Sequence, residues 1–575
     1  MKFKSNGLFI KFSICFGITA FFIFPSAAHC VQIPNQLQSG TVLNEQKSKE
    51  IHPLNKKKVF PIIKNKKAGK ELPIPKGKAF LVKNFIFKGN TVIKTSRLTE
   101  LVGRFRNKRL YLKDLEKVCD IITNFYRKEG FFLAKAYLPP QKIKNGDVLI
   151  VIVEGRLGKV SVKGEKYYKP GFIKDHLKAT DKGILSYSLF LKSLYLLNEY
   201  RDLNVKALLM KGEKPGTTDV ILNVKDEKPL HFFADYDNFG SRYISSNSLG
   251  IGADAGNLLA QGDNLQAQYA IGTPFDSSQF VNFNYSVPMG DYGTKLDLSY
   301  LYSNFAATGV FGTLGIKGRA VVWEADIIEP LLRTRAASLN FTASFSRISV
   351  YNYILGAISS HDEIRPLKAG INGNYADEAG NTFFSGYITR GIGGILGGSE
   401  NDNPYASYLG SIYDFYTLNI SGERVQKFFW NTYFLLKVSG QLSDVTLPIA
   451  EKMSIGGENS VRGYPVSEFL GDSGYQGSIE YKFAPPLVSG MAIKNNKIGN
   501  MVQLLGFIDY GRVFSRNVLS GEAPNSQLAG VGGGIRLRLP RGVKAAFDIG
   551  FPIGTDRPID SSSYMTYFSL EEEFF

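Results

Sequence analysis

From about Leu230 to Phe575 the sequence repeats with a period of two, and that alternation leaves very few folds open. In the stretch FVNFNYSVP, Val281, Phe283, Tyr285 and Val287 share one parity while Asn282, Asn284 and Ser286 share the other. The split recurs at Leu296, Leu298, Tyr300 and Tyr302 against Lys295, Asp297 and Ser299, and at Leu339, Phe341, Ala343 and Phe345 against Ser338, Asn340, Thr342 and Ser344. An aromatic-rich face opposite a Ser/Asn/charged face suits a strand standing between lipid and a wet lumen. Lipid cannot satisfy free backbone groups, so such strands cross only as a closed barrel. A soluble sandwich would place a mixed Leu/Ile/Val core on the apolar parity, with closely spaced turns. Strands of about 10 residues over this length predict a membrane β-barrel of roughly 16 antiparallel strands at 229–575, its outer surface against outer-membrane lipid.

The chain ends in Phe575, as outer-membrane barrels commonly do for recognition by the barrel-assembly machinery that inserts them. The parity that ends there contains Glu571 and Glu573, whereas Tyr564, Phe568 and Leu570 carry the opposite, apolar one. A bulge or an early strand end is therefore expected.

The N-terminus reads as an export signal over 1–28. Lys2, Lys4 and Lys11 precede an apolar run, Phe12 to Phe24, followed by Pro25-Ser26-Ala27-Ala28, with cleavage expected after Ala28. The run is too short for a membrane-spanning helix of about 20 residues. His29 stands where lipidation of Cys30 would want a small residue. The formal charge of +18 is concentrated in Lys2 to Lys11 and in a tract from Lys47 to Lys78. That placement describes a basic linker and predicts no nucleic-acid partner. Residues 29–79 are expected to hold one short helix between about Asn35 and Glu50, and then the linker.

Between them lie two units of about 75 residues with a β-α-α-β-β order, at 80–155 and 156–228. The first is read as strands Phe80 to Phe87, Phe131 to Leu138 and Val148 to Val153. In its helix, Leu115, Val118, Cys119, Ile122, Phe125 and Tyr126 share one face, so Cys119 is a core residue. The second is read as strands Lys159 to Val162, Val205 to Met210 and Thr218 to Val224, with a helix across YSLFLKSLYLLNEY. Repetition of this kind belongs to a tandem module rather than to an enzyme fold.

No constellation for catalysis emerges. The five histidines are scattered, and there is no H-E-x-x-H, C-x-x-C, G-x-S-x-G or Walker sequence. GIGADAG and GIGGILGG do not open helices after strands, so they are barrel turns and small lumenal residues. No enzyme activity, cofactor or metal is expected. What stands out instead is a Gly-rich loop, IGGENSVRGYPVSEF, carrying Arg462 between Val461 and Gly463-Tyr464. In MVQLLGFIDYGRVF, Val502, Leu504, Ile508 and Tyr510 share the lipid parity, which turns Asp509 and Gln503 into the lumen. An inward carboxylate and an arginine on a loop long enough to fold inward are natural partners.

These features together resemble one family. The segment GFFLAKAYLPPQKIKNGDVLIVIVEG, with Gly130, Ala134, Ala136, Pro139, Gln141, Gly146, Val153, Glu154 and Gly155, resembles the first polypeptide-transport-associated (POTRA) domain of two-partner secretion transporters. LYLLNEYRDLNVKALLMKGEKPGTTDVILNV, with Gly216 and Asp219, resembles the second, although Arg201-Asp202 replaces the usual Pro-Gly. Val461-Arg462-Gly463-Tyr464 resembles the motif at the tip of the loop that this superfamily folds into its barrel, here around 453–476. Phe507-Ile508-Asp509-Tyr510-Gly511 resembles the strand motif whose aspartate receives that arginine. The resemblance implies an outer-membrane translocator with periplasmic N-terminal domains, which passes an unfolded partner, a large and β-helical exoprotein, to the cell surface without nucleotide. An assembly factor that inserts other barrels shares the architecture and is the alternative. Two POTRA units, rather than more, point to the secretion transporter, and that resemblance implies a barrel-plugging N-terminal helix within residues 31–50.

Overall fold

The computed structural model describes residues 33–48, 79–177, 180–181, 183–429, 432–485, 492–493 and 496–574. The expected export signal, Cys15, Cys30, most of the basic linker and Phe575 lie outside them. Contacts divide the chain at Pro34, and the elements below belong to the unit Asn35–Phe575.

The first α/β sheet has Asp147–Val153 at its centre, parallel to Asn84–Lys88 and antiparallel to Lys135–Tyr137. Helix Leu112–Lys128 lays Val118, Cys119, Ile122 and Tyr126 against Ile150 and Ile152. Burial pushes the Cys119 thiol up to about 11, in keeping with a core role. Two strand expectations need correction. The strand expected over 80–87 is broken at Lys83, because the Lys83 and Asn84 N–H groups both turn to the Gly146 carbonyl. Phe80–Val82 consequently pairs with Lys108–Leu110. The strand expected over 131–138 keeps only Lys135–Tyr137, since Ala134 N–H closes a turn on Phe131.

A second sheet of five strands orders Thr180–Asp181, Ile184–Leu185, Arg156–Lys163, Thr217–Asp226 and Leu203–Lys211. Helix Tyr187–Leu197 buries Phe190, Leu194 and Leu197 on Val205, Leu209, Val220 and Leu222. At the Arg201-Asp202 departure the backbone still takes the left-handed turn that glycine would favour, with Asp202 at φ 55°, a conformation aspartate tolerates. Both side chains reach the barrel: Arg201 Nη1 lies 3.1 Å from Asp254 and Asp202 Oδ2 lies 2.9 Å from His231 Nε2.

The remaining chain forms a closed antiparallel barrel of 16 strands. We number them β1 Leu230–Asp237, β2 Asn247–Gly256, β3 Asn264–Thr273, β4 Ser278–Pro288, β5 Lys295–Ala306, β6 Lys317–Arg333, β7 Ala337–Ile354 and β8 Ala357–Ile364 continued by Pro366–Ala376. The second half comprises β9 Gly380–Gly391, β10 Tyr416–Lys427, β11 Tyr433–Ser443, β12 Ser473–Phe483, β13 Val502–Phe514, β14 Asn525–Arg538, β15 Lys544–Pro552 and β16 Met565–Phe574. Both parts of β8 pair with β7, which makes them one strand interrupted at Arg365. The expected parity governs the wall: Ile508 is 59% exposed on the outside while its neighbour Asp509 is 0% exposed inside. Strand β16 corrects the expectation of a bulge or early end. It runs in unbroken register with β1, from Phe232 opposite Phe574 to Asp237 opposite Ser569. Leu570 and Phe574 face outward, and Glu571 and Glu573 turn toward Lys544 and His231.

Among the described residues, two pieces of chain occupy the lumen. Helix Ser39–Ser48 places Leu43 among Phe280, Leu301, Val322, Ile348 and Leu447, and Ser39 is hydrogen-bonded to Asn352 and to the Tyr351 carbonyl. The connection between β11 and β12 is the other.

Candidate functional site

The β11–β12 connection starts and ends as a narrow ribbon, Met453–Ile455 paired with Phe469–Gly471. Its stem is closed by Lys452 and Asp472, 2.8 Å apart and both buried. Gly456, Gly457 and Gly463 have positive φ and carry the chain round the tip. At Gly463 a side chain is sterically impossible, since a Cβ would lie 2.8 Å from the Phe551 carbonyl carbon on β15.

The tip delivers Arg462 to the wall. Its Nε donates to Asp509 Oδ2 at 2.7 Å and its Nη2 to Asp509 Oδ1 at 2.9 Å, a two-pronged pair, while its backbone N–H adds a third bond to Oδ2 at 3.1 Å. Nη1 meets Glu480 at 2.8 Å and Asp548 at 3.1 Å. The guanidinium carbon lies over Phe507, 3.5 Å from the ring centroid, an added cation–π contribution. Ser478 Oγ accepts from Nη2 and donates to Asp509. Lys482 pairs with Glu480 and Arg536 with Asp548, so three cations and three carboxylates balance in one buried cluster.

The rest of the motif supports that contact. Val461 packs with Ile455, Val513 and Leu528. Tyr464 is fully buried, donates to the Ala529 carbonyl at 3.2 Å and offers its own carbonyl to Tyr567. At Gly511 a Cβ would sit 3.0 Å from both Ile455 and Val461, so glycine lets the ribbon lie on β13. The structure thus joins Val461, Arg462, Gly463, Tyr464, Asp509 and Gly511. A single pair was expected, whereas the arginine has three carboxylate partners. Glu480 and Asp548 could have been found by the same parity argument, because Ile479 and Tyr481 flank the one and Phe547 and Ile549 the other. Pairing of β12 with β13 sets Ser478 opposite Asp509 and Glu480 opposite Phe507.

The POTRA motif residues lie apart from this cluster and satisfy or shape the backbone of their own domains. Glu154 is buried and accepts from Thr91 N at 2.7 Å, Val92 N at 3.0 Å, Tyr126 OH at 2.9 Å and the Thr91 hydroxyl. Gly155 has φ 76°, and a Cβ there would meet Leu133 at 2.7 Å. Gly130 has φ 94° and its carbonyl accepts from Tyr187. Gln141 substitutes for a strand neighbour, exchanging two hydrogen bonds with the Leu149 backbone at 2.7 and 2.8 Å, and also touches the Pro139 carbonyl. Gly216 turns at φ 79° and accepts from Arg156, while Asp219 accepts from Lys159 N at 2.7 Å.

Residues 216–537 match the family described as haemolysin secretion/activation protein ShlB/FhaC/HecB, and residues 80–155 match the ShlB-type POTRA domain. The chain belongs to the haemolysin secretion/activation family. The heme/hemopexin transporter protein HuxB of Haemophilus influenzae is 24% identical over 434 residues, 74% of each chain. The outer membrane transporter CdiB of Escherichia coli O6:K15:H31 is 22% identical over 411 residues, 69% of this chain and 68% of that one. The solved structure of CdiB from Escherichia coli superposes with a TM-score of 0.73 at 19% identity, covering 94% of this chain and 98% of that one, a likeness of fold. As a member of this family the protein is an outer-membrane transporter of the two-partner secretion type, with periplasmic POTRA-type domains below its barrel. Transporters of the family serve secreted partner proteins and are not enzymes.

Proposed function

We propose that the barrel is a gated conduit for one unfolded exoprotein, large and β-helical, and that its two lumenal elements form the gate. The observation that carries this reading is the manner in which the lumen is filled. Helix Ser39–Ser48 and the 453–471 ribbon hold the wall through side-chain contacts, which can be exchanged without breaking any strand pairing. The helix is the plug that leaves, and the Arg462–Asp509 anchor holds the ribbon while the polypeptide passes. POTRA strands such as Leu203–Lys211, at the edge of its sheet, capture the partner by strand addition, since main-chain hydrogen bonds accept many sequences. Folding of the partner outside then gives direction without nucleotide. With the plug gone the barrel conducts small solutes as a porin does. No catalysis or cofactor enters this scheme.

The remaining parts follow the same logic. Residues 1–28 direct export, 29–79 tether the plug, 80–155 and 156–228 are the receiving domains, and 229–575 is the conduit, inserted by the barrel-assembly machinery with outer-membrane lipid around it. Deleting residues 80–228 tests the reading. Secretion of the partner should stop while the barrel still inserts and still shows a heat-modifiable band. Unimpaired secretion would sink the proposal, and a fall in many unrelated outer-membrane proteins would indicate barrel assembly instead.

A further inference from the structure

On three strands of one side of the barrel, the outward face changes from apolar to basic. Along β6 the outward residues run Ile327, Ala325, Trp323, Val321 and then Arg319 and Lys317. Along β7 they run Leu339, Phe341, Ala343, Phe345 and then Arg347, and along β9 Phe384, Gly386, Ile388 and then Arg390. Between the last two, β8 ends its apolar run at Leu367, where the strand breaks, and Arg365 is buried against Glu363 and the Leu396 and Gly397 carbonyls. The first outward residue beyond the apolar run is thus an arginine on each of β6, β7 and β9.

This level lies at the outer end of the barrel. Strand β6 runs from Lys317 to Arg333, and Arg333 Nε donates to Glu199 of the second POTRA domain at 2.6 Å, so Lys317 is at the opposite end. Pairing sets Arg347 directly opposite Trp323, an exposed ring of the kind that marks a membrane interface.

The four cations are exposed and weakly engaged. Arg347 approaches Glu363 only to 3.8 Å. Arg319 and Arg390 lie over the rings of Tyr351 and Tyr416, and among the described residues no ion pair involves Lys317, Arg319 or Arg390. Beside them Tyr351 stacks on His361 at 4.1 Å and 13° and faces Tyr353 at 15°, forming a flat aromatic surface. From the register, Arg319 is roughly 14 Å from Arg347, and Arg347 roughly 12 Å from Arg390. Such spacing suits an extended headgroup with several phosphates better than one small anion.

We propose that this ledge binds the phosphorylated sugar headgroup of an outer-leaflet glycolipid. Arg319, Arg347 and Arg390 take phosphates through charge-assisted, two-pronged hydrogen bonds. The Tyr351–His361–Tyr353 surface takes a sugar face, and acyl chains continue down past Phe345, Leu367 and Ile388. The inference rests on the membrane placement of the barrel and adds a defined lipid site to it.

The full-length protein, reconstituted in zwitterionic lipid nanodiscs, provides the test, with diphosphorylated lipid A as the probe and native mass spectrometry as the readout. Retained lipid A is expected, falling about ten-fold or more in the R319S/R347S/R390S variant and unchanged in R512S, which removes an outward arginine from β13. Lipid A stripped of phosphate should bind no better to the wild type than to the triple variant. Equal retention by wild type and triple variant would overturn the proposal, as would full displacement by excess inorganic phosphate, which would mark a site for any free anion. Failure to enter nanodiscs at all would defeat the membrane placement itself, and with it this site. Normal insertion with no phosphate-dependent binding defeats the ledge alone.

Discussion

Asp509 in the barrel and Glu154 and Asp226 in the POTRA domains are all buried carboxylates, but they are satisfied in different ways. Glu154 receives backbone N–H groups from Thr91 and Val92, and Asp226 receives those of Lys166, Tyr167 and Tyr168. Asp509 receives a guanidinium from a loop 47 residues away in sequence, with Glu480 and Asp548 sharing it. The POTRA carboxylates fix turns within one small domain, whereas the lumenal cluster ties a distant loop to the barrel wall.

Substitutions at five positions sharpen or break this contrast. Arg462→Ala should have the largest effect, because it leaves three carboxylates without their shared cation. We expect about 3–5 kcal/mol of lost stability and loss of partner secretion. Arg462→Lys should recover little, since an ammonium cannot make the two-pronged bond to Asp509. Heat-modifiable migration and partner export measure the two effects. Asp509→Ala should be milder than Arg462→Ala, since Glu480 and Asp548 still hold the arginine, and the double variant should fall short of the sum. Additive losses would mean separate roles for the two residues.

Glu154→Ala comes next at about 2–3 kcal/mol, because the stranded donors of Thr91, Val92 and Tyr126 have no other acceptor within the turn. It should expose the first POTRA domain to limited proteolysis in the full-length protein while the barrel remains resistant. Asp226→Asn should show a pH signature. Burial works against the Asp226 charge, but the N–H groups of Tyr168, Lys166 and Tyr167 outweigh it and hold the carboxyl below its ordinary range. Its contribution is therefore complete above the unfolded value of about 3.9 and disappears as pH falls through the lower folded value. The stability gap between wild type and Asp226→Asn, followed by protease sensitivity of the second POTRA sheet, should be constant near neutrality and close only in acid. Ser478→Ala should be the smallest, about 0.5–1.5 kcal/mol, since Asp509 keeps its guanidinium. A Ser478 effect as large as that of Arg462 would mean that the hydroxyl, and not the ion pair, holds the loop.

Much of this was legible in the sequence because the relevant signals are periodic or steric. Parity placed Ile508 outside and Asp509 inside, and the glycines at 456, 457 and 463 marked the loop. Parity also contained Glu480 and Asp548, which single-pair reasoning passed over. Other features were not legible because they depend on contacts between distant segments. The break at Lys83 follows from a carbonyl 63 residues away, at Gly146. The outward course of Phe574 follows from its register with Phe232.

By itself the sequence determined that this chain closes a barrel in the outer membrane behind two small α/β modules. Strict alternation and the hydrogen-bonding demand of lipid admit no other solution. Only the tertiary structure decided that Arg462 is shared among three carboxylates, that Arg201 and Asp202 join the second POTRA domain to the barrel, and that three strands on one side of the barrel each end their outward apolar run in an arginine. Each depends on strand register and on where a loop folds back, and local sequence carries neither.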